Sequence, residues 1–323
     1  MSVQVEAGLR SEAEGAASGP KRRLWGGAWH RLWRNRPALV GLLIICLMYL
    51  TAIFAPLIAP YPYDKIDLDN VRSAPSRQHL LGTDEVGHDI FSRVVWAARS
   101  AAFVSVTVTS LGLGLGVFFG VLAGYMGGWV DTLIMRLCDV LFAFPGLLFV
   151  FFIAATIQPG INAWIRGIGL RDLARSGYAD YLVVIIALSL VGWPGLARLI
   201  RGQLLSLRER EYILAAQAMG VPTWRIMLRH LLPNAMPPVV VSVSAGVGGI
   251  ILSEATLSFL GIGLQPPNPS WGAMISEYRG YWRTELWPLL FVPAAILVVI
   301  ILAFNFLGDG LNEVLNPQLD FGD

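Results

Sequence analysis

Residues 206–234 read SLREREYILAAQAMGVPTWRIMLRHLLPN and stand between two apolar blocks, at about 181–196 and 235–257. Ser206 followed by Glu209 has the form of a capping box, in which the hydroxyl accepts from a free backbone amide and the carboxylate reaches back. A helix is expected to start there. Glu211 to Met219 continue it with good helix formers, Gly220 supplies the left-handed conformation that ends many helices, and Pro222 suits the first turn of another. The stretch therefore predicts a helix, an elbow and a second helix. An elbow so strongly encoded between two apolar blocks implies that it docks something.

Apolar blocks recur along all 323 residues. The chain is 55% hydrophobic and 14% charged, with a mean hydropathy of +0.60, which excludes an ordinary cytosolic enzyme. Each block has about the 20 residues a helix needs to cross a bilayer's hydrocarbon core. The fold class that follows is an all-α polytopic membrane protein with about six transmembrane helices. Its expected divisions are a basic tail over 1–36, a first transmembrane helix over 37–58, an outer-face segment over 59–100, a core over 101–306 and a C-terminal tail over 307–323. The first twenty residues lack apolar periodicity and read as disordered. Pro37 opens the first span, and Pro56 and Pro60 close it.

The net charge of +2 says little, because in a membrane protein the placement of basic residues matters more than their sum. Lys21, Arg22, Arg23, Arg31, Arg34 and Arg36 precede the first span, which therefore reads as an uncleaved anchor with a cytoplasmic N-terminus. Arg198, Arg201, Arg208, Arg210, Arg225 and Arg229 place the elbow on the same side. Both termini are then cytoplasmic. Arg166, Arg171 and Arg175, in the mixed stretch 158–180, fall outside on this count and weigh mildly against it.

In the second span, about 101–125, Gly112, Gly116, Gly120 and Gly124 lie on one helix face. Such a face lets another helix approach closely, for packing within the chain, for a subunit interface or for a pathway. Pro145 and Gly146 predict a kink in the third block, which continues to Ile157. Cys46 and Cys138 sit in or beside apolar blocks and read as packing residues. His30, His79, His88 and His230 are scattered, so no metal site is expected. Glu254, at depth or at the interface near the end of the fifth span, has no partner for an ion relay. The run from Gln265 to Trp271 reads as a rigid outer loop, and Tyr278, Tyr281, Trp282 and Trp287 as markers of the membrane interface.

The elbow also carries a resemblance. Leu214-Ala215-Ala216, Gly220, His230 and Leu232-Pro233 keep the spacing of the EAA loop of ABC importer permeases, here spanning 198–234. Glu211-Tyr212-Ile213 and the run from Arg229 to Asn234 resemble its dipeptide, oligopeptide and nickel branch. Leu81-Gly82-Thr83-Asp84 with Gly87, Asp89, Ser92 and Arg93 supports that branch. So do Leu257 to Gly263 with Pro266, Pro267 and Trp271, and Phe304-Asn305 with Leu307 to Gly310. Together the motifs cover roughly 30–317. The chain departs from the family at Leu214, where Glu is usual, at His88 in place of Arg, at Ala98 in place of Gly, and in a longer 158–180 loop.

The resemblance implies the type I ABC importer permease fold with a cytoplasmic coupling helix. It implies Glu211, Leu214, Ala215, Ala216, Gly220, Arg225, Arg229 and Pro233 as residues coupling to an ATPase. It also implies Gly82, Thr83, Asp84, Gly87, Asp89, Ser92 and Arg93 as an outer-face motif. Implied partners are a second permease, two ABC ATPases, an extracytoplasmic solute-binding protein and membrane lipid, with no nucleic acid. The chain lacks a G-x-x-x-x-G-K-[ST] loop, so it is expected to be a non-enzymatic subunit binding no cofactor, with ATP and Mg used by its partners. The alternative class is an ion-coupled secondary transporter.

Overall fold

The computed structural model describes residues 33–169 and 177–315. Six helices in it are long and apolar enough to cross a membrane. In chain order the elements are α1 (Arg36–Ile53), α2 (Ile90–Met126), α3 (Gly128–Phe142), α4 (Gly146–Gly167), α5 (Tyr178–Arg208), α6 (Glu211–Ala218), α7 (Leu232–Phe259), α8 (Trp271–Tyr278) and α9 (Pro288–Leu315). Among the described residues the only β features are two isolated bridges, Ile66 with His88 and Thr83 with Asp89.

Local chemistry sets the ends. Asn35 caps α1 by accepting from the Ala38 amide at 3.0 Å, with a proline in the first turn. Asp89 caps α2 by accepting from the Ser92 amide at 2.8 Å. The second helix thus starts at Ile90 rather than near Ala101, because the cap stands ahead of the charged turns. At 37 residues it is about 55 Å long, well beyond the roughly 30 Å of a hydrocarbon core. Its first turns are embedded in a polar head built by residues 61–89.

Several expected boundaries move. Ser206 does not begin a helix, since α5 runs through it to Arg208 and α6 starts after Arg210 without a side-chain cap. The leucines at 204, 205 and 207 keep that helix going, and Leu204 is buried. The 143–145 stretch is a full break between α3 and α4, with Pro145 capping the second piece, and not a kink. Helix α4 continues through Pro159 to Gly167, so much of the expected 158–180 loop is helical. Arg171 and Arg175 lie outside the described residues. Helix α9 runs to Leu315 where a tail was expected from 307.

Helices α2 and α5 run parallel and in register. A Cβ built on Gly116 would meet Leu196 Cβ at 2.6 Å, one on Gly120 would meet Ala197 O at 2.8 Å, and one on Gly124 would meet Leu204 Cδ1 at 3.1 Å. The glycine face is what lets two long backbones touch. Helix α9 packs against α1 and α7, with Gly41 seated on Ala303 O and Gly308 on Ala245. Asn35 donates to Glu313 at 2.6 Å, which brings the starts of α1 and the end of α9 to the same end of the bundle. That end also carries α6 and is called the elbow end below; the opposite end carries the polar head.

Candidate functional site

The elbow is built on a buried seam. Ile213 and Ala216 of α6 join Ile226, Met227 and Leu231, and all of them pack on Ile200 and Leu204 of α5. Gly220, at φ +76°, closes α6. Its amide donates to Gln217 O at 2.9 Å and the Val221 amide donates to Ala216 O at 3.1 Å, the paired bonds of a Schellman end. Pro222 precedes the turn Thr223–Ile226, and a π-helical turn, Met227–Leu231, feeds into α7. Asn234 donates to His230 O at 2.6 Å and reaches the Tyr212 hydroxyl at 3.5 Å.

Of the residues singled out here by sequence, only Ala216 is buried. Glu211, Leu214, Ala215, Gly220, Arg225, Arg229 and Pro233 are exposed on the elbow's free face. Sequence reading missed the large apolar side chains beside them. Met219 is 76% exposed and Trp224 55%, with Leu214 and Leu228 also out. Arg225 lies over the Trp224 ring at 5.3 Å. An apolar patch interleaved with arginines is suited to docking another protein.

Between α2, α4, α5 and α7 lies a cavity of about 450 Å³. Its lining has no charged side chain; Thr109, Ser242 and Ser253 supply hydroxyls, and the rest is aliphatic or glycine. Gly112 opens on this cavity, and a Cβ there would meet nothing within 4 Å. The four-glycine stripe therefore has two tasks: Gly116, Gly120 and Gly124 pack against α5, while Gly112 borders space. Gly192, Gly195, Gly246 and Gly249 line the cavity as well, and their short spacings within helical segments were the available signal.

At the other end, the sequence motif of the head converges on two buried carboxylates. Asp84 Oδ1 accepts from the backbone amides of Val86, Gly87 and His88 at 2.8 to 2.9 Å. Its Oδ2 accepts from His88 Nδ1 at 2.8 Å, from Arg93 Nη1 at 2.9 Å and from the Tyr278 hydroxyl at 3.0 Å. Burial acts to raise the Asp84 carboxyl, but the His88 ring and backbone and the Val86 amide override it and hold it well below the usual carboxylate range. Asp89 Oδ1 pairs with His79 Nδ1 at 3.0 Å, while its Oδ2 accepts from the Ser92 hydroxyl at 2.7 Å.

Thr83 accepts from the Ser73 amide at 2.9 Å and donates to Asn70 O. Gly87, at φ +96°, sits so close to Asp67 that a Cβ would meet its carbonyl oxygen at 2.1 Å. Gly82, Thr83, Asp84, Gly87, Asp89, Ser92 and Arg93 are thus brought together. Tyr278, expected as an interface marker, is fully buried in this network; burial pushes its phenol well above the ordinary range, opposed by Arg93. The head recruits His79 and His88, which were read as scattered. Among the described residues no group of three could hold a metal ion.

Glu254 is 2% exposed and accepts from the Ser258 and Ser270 hydroxyls at 2.8 and 2.9 Å. Ser258 in turn accepts from the Leu264 amide at 2.9 Å. The carboxyl thus fastens the end of α7 to the loop leading into α8.

Two family models match the chain. Residues 116–321 match the binding-protein-dependent transport system inner membrane component. Residues 23–75 match the N-terminal transmembrane domain of oligopeptide transport permease C. The dipeptide transport system permease protein DppC of Alkalihalophilus pseudofirmus is 37% identical, with 91% of this chain and 90% of the relative covered. The oligopeptide transport system permease protein OppC of Bacillus subtilis is 38% identical over 92% of this chain and 90% of its own. The glutathione transport system permease protein GsiD of Escherichia coli is 40% identical over 92% of each. A solved structure of the MetNI methionine ABC transporter in inward-facing conformations has a similar fold, with TM-score 0.51 and 19% identity over 70% of this chain and 96% of that one.

Proposed function

From the premise that this chain belongs to the binding-protein-dependent transport system inner membrane components, as a permease subunit of an ABC importer, we propose that it passes peptides or related small solutes. Supporting this reading is the likeness to dipeptide, oligopeptide and glutathione permeases along nine-tenths of their lengths. The cavity lining carries no charged side chain, so it offers no ion pair that would hold a charged solute in place.

In this reading a solute-binding protein delivers the solute at the head end, and a second permease completes the pathway. Two ATPases, supplying ATP and Mg chemistry that this chain does not carry, dock on the elbow. By the positive-inside rule the arginines of the elbow support a cytoplasmic elbow end, with both termini on that side of the cell membrane. A cysteine at Gln78, labelled by an impermeant reagent only from the cytoplasmic side, would reverse this orientation.

The decisive experiment is uptake by proteoliposomes holding the permease pair, its ATPases and its binding protein, offered tri-alanine, a dipeptide and glutathione. Import that requires internal ATP is expected for at least one of them. Import driven by an ion gradient with no ATPase present would instead make this a secondary transporter.

A further inference from the structure

Helices α3 and α4 are separated by a break at 143–145, where Pro145 has no amide to donate. Helix α5 has its own weak point, Gly192-Trp193-Pro194-Gly195; Pro194 leaves the Leu190 carbonyl without its helical donor. The two weak points face each other, since a Cβ built on Gly195 would lie 4.0 Å from Phe142 Cζ. Gly146, Gly192 and Gly195 line the cavity at this level.

Packing divides at the same level. On the head side, Val150, Ile153 and Ala154 of α4 pack with Val183, Val184 and Leu188 of α5. On the elbow side, Val130, Ile134 and Cys138 of α3 pack with Trp193 and Ala197 of α5.

Two ion pairs join α3 to α5 on the elbow side, and Arg136 also lies 3.5 Å from Asp139 within α3. Arg201 forks onto Asp131, with Nε and Nη2 each 2.5 Å from a carboxylate oxygen. Arg198 Nη2 donates to Asp139 at 2.5 Å and its guanidinium lies 4.5 Å from the Phe142 ring centroid. Asp139 lies about 16 Å along α3 from its start at Gly128, so the two pairs are spaced along most of that helix. The Arg201–Asp131 pair is the more sheltered of the two, with side chains 31% and 18% exposed, and Arg198–Asp139 is more open, so both act chiefly by fixing geometry. Their geometry resists one motion above others, the separation of α3 from α5. The same half of α5 carries Ile200 and Leu204, on which the elbow is seated.

We propose that α3, residues 196–208 of α5 and the elbow form one clamped lever, hinged at 143–145 and 192–195, with Arg198–Asp139 and Arg201–Asp131 as the clamps. Force applied at the elbow then reaches the cavity wall without being lost to slippage between α3 and α5. The transport consequence rests on the importer reading, whereas the lever itself is a property of this chain and is tested on it alone.

The test uses spin-label distances on the full chain in lipid nanodiscs, in a Cys46→Ser background. One label pair spans the clamp, Trp129→Cys with Leu205→Cys. The other spans the break, Trp129→Cys with Phe152→Cys. A narrow distribution is expected across the clamp and a broad one across the break. Arg198→Gln with Arg201→Gln should broaden the clamp distribution to the width seen across the break, and exchanging Asp131→Arg with Arg201→Asp in the parent should keep it narrow. A clamp distribution as broad as the break in the parent, or one the double neutralisation leaves narrow, overturns the lever. Failure of the importer reading would show separately, as absence of ATP-dependent uptake by the parent complex.

Discussion

Tyr278 donates its hydroxyl to Asp84 at 3.0 Å although 194 positions separate them. The bond ties a short helix beyond the fifth crossing to a loop ahead of the second, and Arg93 of α2 meets both partners. Asp84 is the common acceptor, so removing it differs in kind from removing the phenol. Asp84→Ala leaves Arg93 buried without its closest carboxylate and is expected to cost about 3–5 kcal/mol. Tyr278→Phe removes the bond donated to Asp84 and the one accepted from Arg93 but leaves the Asp84–Arg93 pair in place, at about 1.5–3 kcal/mol. Unfolding midpoints in nanodiscs should rank parent, Tyr278→Phe and Asp84→Ala in that order; equal losses would mean that Asp84 is not the hub.

The same network fixes a pH profile. The folded Asp84 carboxyl is held below its unfolded value, about 3.9. Its contribution is complete above that value and is lost as pH falls through the folded one. The Tyr278 phenol is raised, so its contribution is complete below the unfolded value of about 10 and declines as pH rises beyond it. The stability gap between the parent and Asp84→Asn should accordingly stay level from about pH 5 to 9 and shrink below about 4. Proteolysis of the head across that range checks it, and a gap that closes between pH 5 and 7 would falsify the assignment.

The two parts of the glycine stripe should respond differently to one added methyl. A Cβ on Gly120 would meet Ala197 O at 2.8 Å and Ile200 Cβ at 2.9 Å, so Gly120→Ala must push α2 and α5 apart, about 1–3 kcal/mol of overpacking. Gly112→Ala meets open space and should leave stability unchanged or slightly improved through helix propensity, while narrowing the cavity. Thermal unfolding separates them, and uptake of a bulky peptide against a dipeptide reads the narrowing. Identical stabilities would contradict the close approach of the two helices.

Six crossings and the elbow's turn were legible because hydropathy and the Gly220 end are local signals. Long-range partners were not. Nothing near Tyr278 in sequence marks it as a buried phenol, since its acceptor lies in another loop, and an aromatic just ahead of Tyr281, Trp282 and Trp287 reads more simply as an interface residue. Ser206 and Glu209 make a valid capping pattern, overridden because Leu204 is buried against the elbow and draws α5 through it. The break at 143–145 read as a kink because a proline marks a weak point without saying whether the helix resumes in line. The exposed apolar face of Met219 and Trp224 was hidden for a related reason: an alternating polar and apolar stretch does not reveal which face its own chain covers.

Gly220 separates geometry from packing, which makes it the sharpest probe of the elbow. No atom lies within 4 Å of where its Cβ would be, so Gly220→Val creates no clash. What it meets is backbone strain at φ +76°, about 1–2 kcal/mol for an L-residue and more for a β-branched one. The Val221–Ala216 and Gly220–Gln217 bonds that end α6 depend on that conformation, so relieving the strain reorients α6 relative to Thr223–Ile226. Membrane insertion should be unaffected, because the six crossings do not depend on the turn. In the reconstituted complex, ATP hydrolysis stimulated by binding protein should fall with uptake, and Gly220→Asn, a residue tolerant of this conformation, should retain most of both. A Val variant that hydrolyses and imports like the parent would remove the elbow from the coupling path.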